Sequence, residues 1–378
     1  MTEFEFLRNK AIDLVIYVNF MFAVDYSSNY EIEISQYLDN VWKNSFSEDH
    51  TLQSLEEINL KLQTLAYPFL AKYPLITTLD KLSKDIYNLI KEDRTNLEDY
   101  GIQIGWIRER MDFSNFLKIH DLPYQTLLGY GRKKGKFSIE ENVLLKDAFN
   151  ILEKSKQLFE QLGKITTVLP SYAKSDKIKF ETTKSNIPYL EFDMACYSRL
   201  TILSFFAFFE SFVNSIGYNF LMENRINLND GDKNILKGLS RNGKNYINLK
   251  SRVEKFQLIM RDDNKVVLNL TDANQIQNPF SSIFSYYKEL RDSSMHNSPL
   301  KENIHLSAQA WNVRAIEFSK LTMNAAQIIW KSLVTSNKLP EYLLELDYNN
   351  WIEETENRHI NLKIINTIID GEPDANTR

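Results

Sequence analysis

The chain has 378 residues, of which 43% are apolar, 25% charged and 12% aromatic, so it can bury sizeable cores and is neither disordered nor fibrous. Its 11 glycines and 9 prolines disfavour a turn-rich β-sandwich or barrel, and its single cysteine excludes a disulfide framework or a cysteine-rich zinc site. The net charge of −5 is uneven: residues 1–60 hold 11 acids against 3 bases, residues 338–378 hold 9 against 4, and the middle holds 30 against 38.

The N-terminal stretch contains apolar runs, but Glu3, Glu5 and Asp13 interrupt them and no basic segment precedes them, so no signal peptide is expected. Leu60, Leu62, Leu65 and Ala66 lead into breaks at Pro68 and Pro74, after which Leu79, Leu82, Ile86 and Ile90 repeat at helical spacing. Ser138 and Glu141 have the spacing of a capping box and open a helix expected to end before Pro170. Residues Pro170 to Pro188 shift to Lys, Ser and Thr and are read as a linker holding a short hairpin.

A second domain is expected to follow. Its first helix, about Tyr189–Glu223, contains Leu200 to Met222, a stretch long enough to span a bilayer. Glu210 near its middle, with Ser and Asn around it, favours a buried helix of a soluble bundle and no membrane association. Helices are then predicted over Leu249–Met260, Phe280–His296 and Leu306–Leu333, with short helical potential after Pro340. The organisation expected is all-α: a helical region over 1–170, a linker over 171–186, a helical bundle over 187–337 and an acidic extension over 338–378.

The helix ending near Pro299 carries Arg291-Asp292-Ser293-Ser294-Met295-His296. Guanidinium binds phosphate in fork geometry, and imidazole passes protons near neutral pH. RNA can be cut without a metal when its 2′-OH attacks the adjacent phosphate. That reaction needs a group to take the hydroxyl proton, one to protonate the leaving 5′-oxygen, and a cation for the phosphorane. The same spacing also arises in helical proteins whose Arg and His are merely solvated or cap a helix.

Order and context add to the motif. A long apolar helix with Glu210 and Asn214 one turn apart, in the run Phe208 to Asn214, precedes it, and a further helix follows. This resembles the HEPN superfamily of all-α ribonuclease domains over about residues 187–337. The resemblance implies Arg291 and His296 as catalytic residues, with Asp292, Glu210 and Asn214 in support, and Glu210 and Asn214 orienting Arg291. It implies a cytoplasmic endoribonuclease that needs no metal or cofactor and leaves a 2′,3′-cyclic phosphate. It further implies a homodimer, and a toxin or effector role in prokaryotic defence with a regulatory or antitoxin partner. As substrate, tRNA, rRNA and mRNA all fit. The alternative is a non-catalytic HEPN-like RNA-binding or scaffold subunit.

A five-residue step on a helix separates Arg291 from His296 by about 140°. One chain thus offers half a site, and a two-fold would supply the other half. Among the remaining motifs, Arg132, Lys133, Lys134 and Lys136 lie in a glycine-flanked basic loop that lacks the P-loop order and could hold RNA phosphates, with Tyr130 stacking a base. His50, His120, His305 and His359 are scattered without metal-ligand spacing, and Cys196 is read as an inert core thiol.

Overall fold

The computed structural model describes residues 2–25, 32–44, 50–113, 116, 122–129, 137–295, 306–334, 339 and 341–370. The described residues are predominantly helical, in accord with an all-α class. The chain divides into two compact units, 1–139 and 140–378. The boundary therefore falls some thirty residues before the expected one.

The N-terminal unit holds α1 (Glu3–Val24), α2 (Ile32–Asn44), α3 (Leu52–Lys72), α4 (Leu79–Tyr100) and the short α5 (Ile104–Arg108). Thr2 opens α1 with a capping box, its hydroxyl accepting from Glu5 N while Glu5 accepts from Thr2 N. Helix α1 buries Leu14, Val15, Val18 and Met21 against α3 and α4. Asn59 Nδ2 donates to Leu7 O, and Ser83 Oγ donates to Asp13 O, both across helix pairs. Pro68 lies inside α3 rather than breaking it. The buried Asp25 carboxylate accepts from Lys72 Nζ at 2.9 Å and Tyr73 Oη at 3.0 Å. Three two-residue strands, β1 (Ile102–Gln103), β2 (Leu127–Leu128) and β3 (Phe137–Ser138), pair antiparallel in the order β1-β2-β3.

The C-terminal unit begins with two long helices, α6 (Glu140–Ser175) and α7 (Lys177–Asn224), joined at Asp176, whose side chain caps α7 by accepting from Lys179 N. The expected linker over 171–186 is thus helical, with Pro170 and Pro188 inside the helices. Its inner seam explains why. Leu162, Ile165, Leu169 and Tyr172 on α6, and Phe180, Thr183, Ile187, Leu190 and Met194 on α7, are the buried or half-buried positions of an antiparallel pair whose other faces meet solvent. The alternating three- and four-residue steps are those of a coiled-coil seam.

After α8 (Asp230–Leu236), α9 (Leu249–Met260), α10 (Phe280–Met295) and α11 (Ala308–Leu333) pack on this pair. One core joins Leu145 and Phe149 of α6 to Phe205, Phe208, Phe209 and Phe212 of α7, Phe256 of α9, Ile283 of α10 and Phe318 of α11. The region expected as an acidic extension closes the same core. Leu343, Leu346 and Trp351, in a turn of 3-10 helix (Glu341–Leu346) and α12 (Tyr348–Asp370), are fully buried. Burial of Trp351 with its indole N–H donating to Leu343 O satisfies both the apolar body and the polar edge of the ring.

A buried polar thread crosses the bundle. Asn312 Nδ2 of α11 donates to Ser155 Oγ of α6, which is 2.7 Å from Ser198 Oγ of α7. The most apolar window of α7 is long enough to cross a membrane, and 61% of it is buried within the fold.

Candidate functional site

Arg291 and Asp292 fall in the last turns of α10, with their side chains outside what the structure describes; His296 and His305 lie outside the described residues. Tyr130, Arg132, Lys133, Lys134 and Lys136 of the basic loop, and His120, also lie outside them.

The position of the motif-bearing helix is nonetheless set by its neighbours. On α7, Phe209 meets Phe280 with ring centroids 6.5 Å apart, while Phe206 meets Phe284 at 6.4 Å and stacks on Tyr287 at 3.5 Å. Residue numbers fall along α7 as they rise along α10, so the helices are antiparallel. Four residues past Tyr287 and four before Phe206, the backbone of Arg291 is level with Ile202. On the other flank, Tyr286 Oη donates to Glu317 at 3.0 Å and Arg314 Nη1 donates to Glu289 at 3.4 Å, so α11 is antiparallel to α10 as well. Leu290 is buried next to the motif.

This register corrects the expectation that Glu210 and Asn214 orient Arg291. Both sit toward the Phe280 end of α10, and eleven residues of helix separate Phe280 from Arg291, about 16 Å of axial rise. Their partner is Arg252 of α9. Arg252 Nη1 donates to Asn214 Oδ1, Nη2 donates to Ile247 O at 3.0 Å, and Nη1 is 3.9 Å from Glu210 Oε1. Burial lowers the Arg252 pKa from its ordinary value, and Glu210 opposes that shift. Gly238, at φ +79°, leaves room for the guanidinium; a Cβ there would stand 3.1 Å from it. Sequence reasoning passed over Arg252. The signal lay in its placement, since it interrupts the apolar stripe Leu249, Val253, Phe256 and Met260 and so must face inward with a partner.

Two further cations lie at the motif's level. The guanidinium groups of Arg199 on α7 and Arg314 on α11 are 5.7 and 5.8 Å from the centroid of the buried Trp311 ring, within cation–π range. Both arginines are half-buried. Nothing in the local sequence marks them, because they become neighbours only through helix packing.

The other groups take structural places. His50 is hydrogen-bonded through Nε2 to Asn44 O, and His359 lies on α12. Cys196 is half-buried on the outer side of α7 rather than in the core. Among the described residues, no group of three or more His, Cys, Asp and Glu side chains is arranged to hold a metal ion. In the N-terminal unit a cleft of about 1060 Å³ is lined by Phe6, Lys10, Asp13, Trp42, Lys84 and Tyr87, among others. Burial and the Asp80 charge raise the pKa of the Asp13 carboxyl there. No protein-family model, curated protein or solved structure matches the chain.

Proposed function

We propose that the C-terminal unit is a metal-independent endoribonuclease of HEPN type, acting in the cytoplasm as an effector of prokaryotic defence. The observation that carries this reading is the sequence Arg291-x4-His296 at the end of an apolar-striped helix in an all-α bundle. In the proposed reaction the His296 imidazole takes the 2′-OH proton, the 2′-oxygen bonds to phosphorus, and the imidazolium so formed returns that proton to the 5′-oxygen as it leaves. Arg291 offsets the charge on the phosphorane. Breaking the P–O5′ bond leaves a 2′,3′-cyclic phosphate and a 5′-hydroxyl. Arg199 adds positive charge at the same end of the bundle, where neighbouring RNA phosphates would lie, beside Arg314, which is paired with Glu289. The N-terminal unit is assigned sensing or inhibition, or the binding of a regulatory partner.

The test is incubation of the purified chain with tRNA, rRNA and mRNA in EDTA, with the cut ends mapped. Cyclic-phosphate ends that vanish in Arg291→Ala and His296→Ala are expected. A strict metal requirement, or full activity in both variants, overturns the assignment.

The second reading, a non-catalytic RNA-binding scaffold with the same fold, draws support from the pairing of Glu210 and Asn214 with Arg252 instead of Arg291. Retained RNA binding with intact RNA would select it.

A further inference from the structure

The cleft of about 1060 Å³ in the N-terminal unit is built by three helices, α1, α2 and α4. Its walls are aromatic, with Phe6 on α1, Trp42 on α2 and Tyr87 on α4, and the rings of Phe6 and Tyr87 are about half exposed. Ser83 Oγ donates to Asp13 O at 2.9 Å and ties α1 to α4 at the cleft. Four charged side chains line it: Lys10 and Asp13 from α1, Asp80 and Lys84 from α4. Small-molecule sites run to roughly 300–1000 Å³ and join apolar walls to a few placed polar groups. The cleft has that make-up, at the upper end of that size.

The four charged groups are not equivalent. Asp80 is taken up in the first turn of α4, where its carboxylate accepts from the Thr78 side chain and from the Lys81 backbone N–H, which lowers its pKa. Asp13 is half-buried, yet among the described residues its carboxylate accepts no hydrogen bond and forms no ion pair. Burial, then the Asp80 charge, raises its pKa against the pull of Lys84, so its oxygens are the unsatisfied acceptors of the cleft. Lys10 and Lys84 form no ion pair among the described residues either. A plain cation would meet both lysines, and a plain anion would meet Asp13. The occupant that suits every group has a flat aromatic body, paired N–H donors on one edge and a negative charge set apart from that edge. An ionised carboxylate can only accept. Of the nucleobases only guanine offers it two adjacent donors, N1–H and N2–H. Adenine and cytosine set a ring acceptor beside their amino group, and uracil flanks its N–H with carbonyls.

We propose that this cleft binds a guanine nucleotide. The Asp13 carboxylate accepts from guanine N1–H and N2–H, the rings of Phe6, Trp42 and Tyr87 pack on the base and ribose, and Lys10 and Lys84 hold the phosphate. Two lysines match the charge of one phosphate monoester, about −1.5 to −2 at neutral pH. The site lies wholly within the N-terminal unit, so the binding is independent of the ribonuclease reading. Only its role rests on that reading: the unit assigned to sensing would sense a free nucleotide.

The experiment is titration calorimetry of the full chain, without added metal, against guanosine monophosphate (GMP), adenosine monophosphate (AMP), xanthosine monophosphate (XMP), guanosine and inorganic phosphate. GMP should bind about 10- to 100-fold more tightly than AMP, the discrimination that one bidentate pair supplies. Asp13→Asn exchanges one acceptor for a donor. It should weaken GMP by a similar factor and strengthen XMP, whose base sets a carbonyl beside N1–H. Lys84→Ala should weaken GMP and leave guanosine unchanged. Should Asp13→Asn misfold by circular dichroism, Tyr87→Ala removes a half-exposed ring instead and should weaken GMP and guanosine alike. The proposal is overturned if GMP gives no binding at millimolar concentration, if AMP binds equally well, or if Asp13→Asn keeps the wild-type preference. Inorganic phosphate binding as tightly as GMP would also overturn it, marking a bare anion site. None of these readouts requires cleavage. GMP binding by a chain that leaves RNA intact upholds the cleft while the ribonuclease reading fails, and a chain that cuts RNA without binding GMP overturns the cleft alone.

Discussion

Phe206 lies flat on Tyr287, with ring centroids 3.5 Å apart and planes 2° from parallel. This stack holds α10 against α7 one helical turn before Arg291. A double-mutant cycle with Phe206→Leu and Tyr287→Leu should return a coupling of about 0.5–1.5 kcal/mol, measured by urea unfolding. Strictly additive losses would show that the stack does not hold the helix.

Asn214 and Glu210 should separate cleanly. Asn214→Ala removes an acceptor from the buried Arg252 guanidinium and should cost about 1–3 kcal/mol. Glu210 stands 3.9 Å away with its side chain half-exposed, so Glu210→Gln should cost under about 1 kcal/mol. Equal losses in chemical denaturation would contradict the geometry.

Gly217 marks the close approach of α7 and α9. A Cβ there would stand 2.4 Å from the Phe256 ring. Gly217→Ala should therefore destabilise the C-terminal unit by about 1–3 kcal/mol despite its favourable helix propensity, and Phe256→Leu should recover part of that loss. A more stable alanine variant would refute the contact.

Glu141 sets a pH dependence. It is fully buried, accepts from Ser215 Oγ at 2.6 Å and Tyr342 Oη at 2.9 Å, and burial raises its pKa above the ordinary 4.5. A folded state that holds the proton more tightly than the unfolded chain gains stability at low pH. That contribution is complete below pH 4.5 and is lost as pH rises through the raised value. Glu141→Gln keeps an acceptor without the charge. It should flatten the pH profile of thermal unfolding and gain on the wild type as pH rises to 8; an unchanged profile would sink this assignment.

Arg314→Ala tests the cations beside the motif. If RNA phosphates run past the end of α10, binding should weaken similarly for all sequences, and the salt slope should fall by about one. Filter binding at several salt concentrations gives both quantities. Unaltered affinity would place the RNA elsewhere.

Much of the architecture was legible from periodicity. Leu249–Met260 is helical at the expected bounds, and the helices beginning at Phe280 and ending at Leu333 match within a few residues. Two regions misled for physical reasons. Between residues 170 and 188 the Lys, Ser and Thr side chains on the solvent faces hid the seam formed by Leu169, Tyr172, Phe180 and Ile187, and the prolines looked like ends. The acidic C-terminal segment concealed Trp351, whose burial depends on partners far away in sequence. The same limit applied to the site. An acid and an amide one turn apart do announce a buried partner, but only the helix register distinguishes Arg252 from Arg291.

Phe149, near the start of the C-terminal unit, stacks on Trp351, close to the end of its described residues, with centroids 5.7 Å apart and planes 4° from parallel. During synthesis the ribosome emits Phe149 long before Trp351. The N-terminal unit has its whole core by residue 139, while the C-terminal core stays open until the last helices emerge. The half proposed to act on RNA therefore matures last. A nascent chain that has emerged only as far as α11 carries a finished N-terminal unit and a C-terminal core still open at Phe149.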